Sequence, residues 1–276
     1  MDSGMRAMVP KAWLMAAGMA AALMSANPAG GQAPAAPTVL TRVAGYLPIG
    51  TTPGSLTLVP PPPTAGSGAQ ARDEDGAMAA LALHGGPRWD LATQDADLSF
   101  PNVAGTFSCA IGVPVTEADT PALYRLLRRS LSDIGLSTYP TKTRYQRARP
   151  FTVNNRPMCT PALDAGLRKD GSYPSGHSAI GWGWGLIVAE VAPDRIDAVL
   201  ARGRAYSDSR RVCNVHWQSD VDEGRTMGAA VVARLHDSAE FRADVAAAKA
   251  EVIAARAKGM KPTRDCAEEA RRLAAG

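Results

Sequence analysis

Three separate stretches of the chain carry side chains suited to binding and transferring an oxyanion. The first holds Lys142, Arg144, Arg147, Arg149 and Arg156, with no Asp or Glu anywhere between Ile134 and Leu163. Taken alone, such a run is equally well read as a solvated basic face. The second is Gly171-Ser172-Tyr173-Pro174-Ser175-Gly176-His177, directly before an apolar segment. A Ser-Gly pair opening a helix offers unpaired backbone N–H groups and the positive end of the helix dipole, which suit a phosphate; an ordinary helix cap has the same residues. The third is Ser209-Arg210, five residues, His216, three residues, Asp220. If His216 and Asp220 share a helix, their i,i+4 spacing puts them on one face, so the carboxylate holds one ring nitrogen and presents the other. An imidazole held in that way is a directed nucleophile or base.

The elements that position these residues read as helices. Of 276 residues, 46% are hydrophobic, 20% charged and 5% aromatic, with a formal net charge of +4. This is globular composition, excluding a disordered or fibrous chain, and its mild positive charge permits anionic ligands without demanding a nucleic acid. An Ala/Leu/Val-rich core with few aromatics suits closely packed helices. Asp119-Thr120-Pro121 opens an amphipathic helix to Gly135, with Leu123, Leu126, Leu127 and Leu131 along one face. A second helix, Ser178 to Glu190, is apolar nearly all round and carries Gly181, Gly183 and Gly185, which predicts burial. A third is expected from Arg195 to Tyr206, a fourth from His216 toward Leu235, and a last from Glu240 to Lys258, with Ser207 to Val215 as a connection. No strand-period segment is present, so the expected fold class is all-α. His84 and His236 are read as structural, Trp182 and Trp184 as core, and Trp217 as pocket wall.

At the N-terminus, Arg6 and Lys11, the apolar run Ala12 to Met24 and then small residues follow the order of a secretory signal peptide. The run is too short to span a bilayer and no later segment exceeds it, so no membrane anchor is expected. The expected organisation is a signal peptide over 1–33, an extended Pro/Gly-rich segment over 34–75, a helical domain over 76–252 and an Ala-rich tail over 253–276. The expected location is periplasmic or secreted. Cys109, Cys159, Cys213 and Cys266 then form two disulfides, with three connectivities open. None shows the spacing of a metal site.

Together the three stretches resemble the signature of the type 2 phosphatidic acid phosphatase superfamily: Lys142 and Arg149-Pro150, Pro174-Ser175-Gly176-His177, and Ser209-Arg210, His216 and Asp220. More narrowly the chain resembles the bacterial class A non-specific acid phosphatases, through Gly171-Ser172-Tyr173, Tyr145, Phe151 and His216 to Val221, over roughly residues 45–248. The resemblance implies a compact, single-domain helical bundle and hydrolysis of small phosphate monoesters without metal or cofactor. By it, His216 attacks phosphorus, Asp220 orients it, and His177 protonates the leaving alcohol and then activates water. Lys142, Arg149, Arg210 and the backbone and hydroxyl of Ser175 and Gly176 hold the phosphoryl oxygens. Mildly acidic pH is where His177 is protonated and His216 neutral together. Phosphotransfer to an alcohol is a natural side reaction. Counterparts of Cys159 and Cys213 are familiar in that family whereas Cys109 and the tail are departures, so the resemblance implies Cys159–Cys213 and leads to Cys109–Cys266.

The same motifs occur in vanadium-dependent haloperoxidases, whose chains are usually much longer, and in membrane lipid phosphatases, which need spanning segments. A non-catalytic exported phosphate-binding protein would need no nucleophile. Nucleic-acid binding is not expected, for want of aromatic stacking residues. Homo-oligomerisation is left open.

Overall fold

Residues 43–276, described by a computed structural model, form helices and short 3-10 turns with no strand among them, so the expected all-α class is the observed one. The expected signal peptide and the beginning of the extended segment lie outside the described residues. The α-helices run in the order α1 Ser55–Leu58, α2 Gly68–Leu81, α3 Pro87–Asp95, α4 Ser108–Ile111, α5 Pro121–Leu136, α6 Tyr139–Tyr145 and α7 Pro150–Asn154. They continue as α8 Asp164–Leu167, α9 Gly176–Val191, α10 Ile196–Val212, α11 Gln218–Leu235, α12 Ala239–Ala257 and α13 Cys266–Ala274. The first long helix, α2, starts at Gly68, ahead of the residue-76 boundary read from the sequence, because Ser67 caps it by accepting from the Gln70 N–H at 3.1 Å. Residues of the tail region are likewise helical, in the last turn of α12 and in α13.

α9 is the axis of the fold, packed between α10 and α11 and against α5. Its Trp184 is fully buried and donates to the Leu127 carbonyl and to Ser130 of α5, whereas Trp182, expected in the core, is only partly buried. The glycines set the spacing of the layers. A Cβ on Gly203 of α10 would lie 3.2 Å from Gly185 Cα of α9, and one on Gly224 of α11 would lie 2.5 Å from the Ser175 carbonyl oxygen at the start of α9. Both neighbours can approach α9 this closely only because these positions carry no side chain. The Pro-rich segment is anchored on the same assembly: Tyr173 donates to the Pro60 carbonyl at 2.7 Å.

One element differs from its expected length. α10 does not end at Tyr206 but runs to Val212, through residues read as a connection. Ser207 and Ser209 look like loop formers, yet their hydroxyls bond back to the carbonyls of Gly203 and Ala205, each at 3.0 Å, which satisfies them inside a helix. Arg210 therefore sits in the last helical turn rather than on a loop. The cysteines pair as Cys159–Cys213 and Cys109–Cys266. Among the described residues no helix is long and apolar enough to cross a membrane.

Candidate active site

His216 lies between α10 and α11, two residues ahead of the first residue of α11. The expectation that it shares a helix with Asp220 is therefore corrected, although the pairing survives. Asp220 stands in the first turn of α11 and turns its carboxylate back: Oδ2 accepts from the Trp217 N–H at 2.9 Å and meets His216 Nδ1 at 3.2 Å. The same oxygen thus caps the helix and orients the imidazole. On the other ring nitrogen, Arg149 Nη1 approaches Nε2 at 3.0 Å. With a donor facing Nε2 and a carboxylate facing Nδ1, the tautomer that fits carries its proton on Nδ1 and leaves the Nε2 lone pair available.

Local rules bring the cations to this ring. α6 is stopped by Gln146 in the left-handed region (φ 44°), so Arg147 to Arg149 leave the helix in an extended stretch. Pro150 then starts α7 and holds Arg149 extended before it. Arg149 is buried, and nearly all its donors are engaged: Nε with the Leu167 and Asp170 carbonyls, Nη1 with the Val215 carbonyl, Nη2 with Asp170 Oδ2 at 2.9 Å. Its fork is thus turned to the protein, with one edge toward His216. Lys142 Nζ donates to the Gly171 carbonyl at 2.5 Å and lies 3.6 Å from Asp170 Oδ2. Burial pushes its ammonium down to about 8, with the Arg149 charge adding to the effect and Asp170 opposing it.

Arg210 is different. It is 1% exposed, and its Nε and Nη1 have no acceptor among the described residues. Burial pushes its guanidinium down to about 10. Two buried guanidinium donors with no acceptor among the described residues, beside His177, His216 and Arg149, suit an anion. Ser175 caps α9, its hydroxyl accepting from the Ser178 N–H at 3.2 Å, which leaves its own proton and the Gly176 N–H to face a ligand. The Ser175 N–H, expected at the phosphate, instead donates to the Asp220 carbonyl at 2.8 Å. That bond joins the second motif to the third.

His177, on the first turn of α9, is partly buried, and its Nε2 meets the Ala96 carbonyl at 3.1 Å. Nδ1 is then the atom left to exchange a proton. Ala96 follows α3, whose last residue, Asp95, is buried and bound by Arg202 at 2.6 Å and by the Ser209 hydroxyl at 2.6 Å. Burial, the Arg210 charge and those of Arg149 and Lys142 hold the His177 imidazole well below the usual histidine range. Burial and the same three cations act in the same direction on His216.

The residues given roles by the family resemblance thus meet in one place, Lys142, Arg149, Ser175, Gly176, His177, Arg210, His216 and Asp220, whereas Arg144 and Arg156 of the basic run are exposed. Two others were not foreseen as partners. Arg147 joins Asp220 Oδ1 at 2.6 Å to Asp73 Oδ2 at 2.7 Å, and Asp170 faces Lys142 and Arg149. Arg147 was visible only as one of a run of cations, and Asp73 lies far away in sequence. A cavity of about 270 Å³ opens beside Arg149, lined also by Arg147, Thr152, Leu167 and Asp170. A larger one of about 580 Å³ lies against α13, and its walls include none of the predicted site residues. His84 stacks edge-on against Trp89 and His236 pairs with Glu190 at 3.0 Å. Trp217 packs under the Arg147 guanidinium and donates to the Ala148 carbonyl.

The pattern that defines the PAP2 superfamily matches residues 130–243, which contain all three motifs. The chain is 42% identical over 211 residues to an acid phosphatase of Zymomonas mobilis subsp. mobilis, covering 75% of this chain and 78% of that protein. It is 42% identical over 202 residues to a non-specific acid phosphatase of Providencia stuartii, covering 71% and 80%. A non-specific acid phosphatase of Salmonella typhimurium is 38% identical over 195 residues, covering 70% and 78%.

Proposed function

The chain belongs to the PAP2 superfamily, alongside acid phosphatases that match most of its length, and from that premise we propose that it is a phosphoric monoester hydrolase of broad range working through a phosphohistidine. The observation that carries this reading is the His216 imidazole, held through Nδ1 by Asp220, with its Nε2 lone pair beside three buried cations. Phosphorus would take its place in front of Nε2, with Arg149 Nη1 passing its hydrogen bond to a phosphoryl oxygen. Arg210, whose Nε and Nη1 have no acceptor among the described residues, would gain two. Lys142, the Ser175 hydroxyl and the Gly176 N–H complete the cradle as the charge redistributes.

Attack by Nε2 forms the N–P bond and breaks the P–O bond, and the alkoxide takes its proton from His177 Nδ1. His177, now neutral, accepts a proton from the water that opens the phosphohistidine. The cations that depress His177 in the free protein are offset when a phosphate dianion arrives, so substrate binding itself favours the protonated acid. The same cations keep His216 neutral into the acid range. Both effects support turnover on the acid side of neutrality. An alcohol taking the place of water would give phosphotransfer.

We place this activity outside the cytoplasm, in a periplasm or beyond: two disulfides persist where thiols are not kept reduced, and residues 1–33 have the order of a signal peptide. The test is hydrolysis of p-nitrophenyl phosphate from about pH 4 to 9, spanning histidine titration, in excess EDTA, for wild type and His216→Ala. An acid-optimal, EDTA-resistant activity lost in the variant, with acid-labile phosphate trapped on His216 of the wild type, is the expected result. Activity surviving His216→Ala would overturn the nucleophile, and loss of activity in EDTA would overturn metal independence.

A further inference from the structure

We propose that Arg147, backed by Asp73, is a positioning residue for the nucleophile: it holds Asp220 as a carboxylate aimed at His216 Nδ1. This rests on the reading of His216 as the nucleophile. Asp220 has no exposed surface, and a carboxylate taken wholly out of water needs a partner that returns the lost solvation. The groups facing it are His216, Arg147, Lys142, Arg149 and Tyr173. Of the cations among them, Arg147 alone hydrogen-bonds it among the described residues, Nη1 to Oδ1 at 2.6 Å.

Arg147 is itself fixed by what lies behind it. Nη1 also reaches the Ser219 hydroxyl at 2.8 Å, while Nη2 donates to Asp73 Oδ2 and Gln70 Oε1, both at 2.7 Å. Asp73 in turn accepts from the Ser219 N–H at 2.9 Å and from its hydroxyl at 2.5 Å. A line of alternating charge, Asp73, Arg147, Asp220, thus runs from α2 through the segment between α6 and α7 to the nucleophile. Arg147 reaches the site on the Nδ1 side of the ring, through Asp220, and not on the Nε2 side where phosphate would sit. Burial acts to raise the Asp220 carboxyl, and Arg147 is the first of the groups opposing it. A protonated Asp220 could no longer stabilise the charge that grows on His216 as the N–P bond forms.

The test compares wild type, Arg147→Gln, Arg147→Lys, Asp220→Asn and the double variant Arg147→Gln/Asp220→Asn, reading kcat, KM and the pH profile, with His216→Ala as control. Arg147→Gln should lower kcat by roughly 10²-fold, the scale of a misplaced catalytic group, with KM little changed. The acid limb of its kcat profile should move to higher pH, because Asp220 then takes up a proton more easily. Arg147→Lys keeps the charge without the fork, and should fall between the two in both readings. In the Asp220→Asn background, Arg147→Gln should cost less than about twofold, since its route to the site is gone. A fully multiplicative loss in the double variant, or an unmoved acid limb in folded Arg147→Gln, overturns the proposal; wild-type behaviour of Arg147→Lys overturns the need for the fork. If His216→Ala retains activity, it is the phosphohistidine reading that fails.

Discussion

Arg210 is buried with Nε and Nη1 lacking an acceptor among the described residues, an arrangement that costs stability. Replacing it by an apolar side chain of similar length should relieve that cost while removing the anion site. Ligand-free Arg210→Met is expected to melt at or above the wild-type temperature, by up to about 2 kcal/mol in stability. The stabilisation by inorganic phosphate, about 2.7 kcal/mol at a hundredfold excess over Kd, should fall below about 1 kcal/mol, and turnover by roughly 10²-fold or more. Calorimetry with and without phosphate reads both effects, and a variant stabilised by phosphate as strongly as wild type would remove Arg210 from the cradle. A second expectation concerns His177. In the proposed mechanism it acts protonated, so the alkaline limb of the rate profile should mark loss of its proton. In the free enzyme burial and the Arg210 charge hold that limb below the usual histidine range, whereas a bound phosphate dianion moves it up. The alkaline limb of kcat should therefore lie at higher pH than that of kcat/KM, and coincident limbs would argue against His177 as the acid.

At the scale of elements, the meeting of motifs depends on how closely α11 lies on the start of α9. Gly224→Ala would put a methyl 2.5 Å from the Ser175 carbonyl oxygen, a backbone atom that cannot swing aside. It should cost roughly 1–3 kcal/mol and, by shifting Asp220 and His216 against Ser175, lower activity by about tenfold or more. Gly76→Ala, within α2 and with nothing within 4 Å of the added methyl, should instead stabilise by about 0.4–1 kcal/mol and leave turnover unchanged. Thermal melts and assays of the pair separate close approach from helix propensity, and a silent Gly224→Ala would deny the contact its role. The same contrast marks how far the elements could be read in the sequence. A periodic leucine face located α5 and an almost wholly apolar run located α9, and residue types at fixed spacing picked out eight residues that the fold brings together. Periodicity said nothing of the last turn of α10, where Ser207 and Ser209 satisfy their hydroxyls on the carbonyls one turn back. Nor could it disclose that His216 precedes α11, since an i,i+4 pair looks the same whether or not the helix includes its first member. Arg147 with Asp73, and Ala96 with His177, are contacts between distant segments, which only the packed structure brings together.

Across the whole molecule the two disulfides divide the work between stability and chemistry. Cys109–Cys266 spans 157 positions of the sequence and Cys159–Cys213 spans 54. Loop-closure entropy gives roughly 5 and roughly 4 kcal/mol for loops of these lengths, so the longer one should contribute somewhat more to stability. What each one holds is different. Cys109–Cys266 fastens α13, which packs on α3 and sets Glu269 3.5 Å from Arg202. The end of α3, which supplies the Ala96 carbonyl to His177, is also pinned from the core by Arg202 and Ser209 through Asp95, and is expected to stay in place without the tail. Cys159–Cys213 sits at the turn that leads to the proposed nucleophile: Cys213 caps α10, Asn214 follows in the left-handed region (φ 58°), and His216 is two residues further. The end of α7 and the segment after it that carries Cys159 bond to this turn, through the Asn154 side chain and the Arg156 and Pro157 carbonyls, which accept from the Asn214 amide. Cys109→Ser/Cys266→Ser should therefore lower the melting temperature while keeping kcat/KM within about threefold, a loss small beside that of a displaced catalytic group. Cys159→Ser/Cys213→Ser should lower both, with turnover reduced by about tenfold or more, since displacing His216 by as little as 1 Å carries a penalty of that order. Calorimetry and hydrolysis rates on the two folded pairs decide the matter, and a tail-released enzyme that is folded but inactive would show that α13, not the core, holds His177 in place.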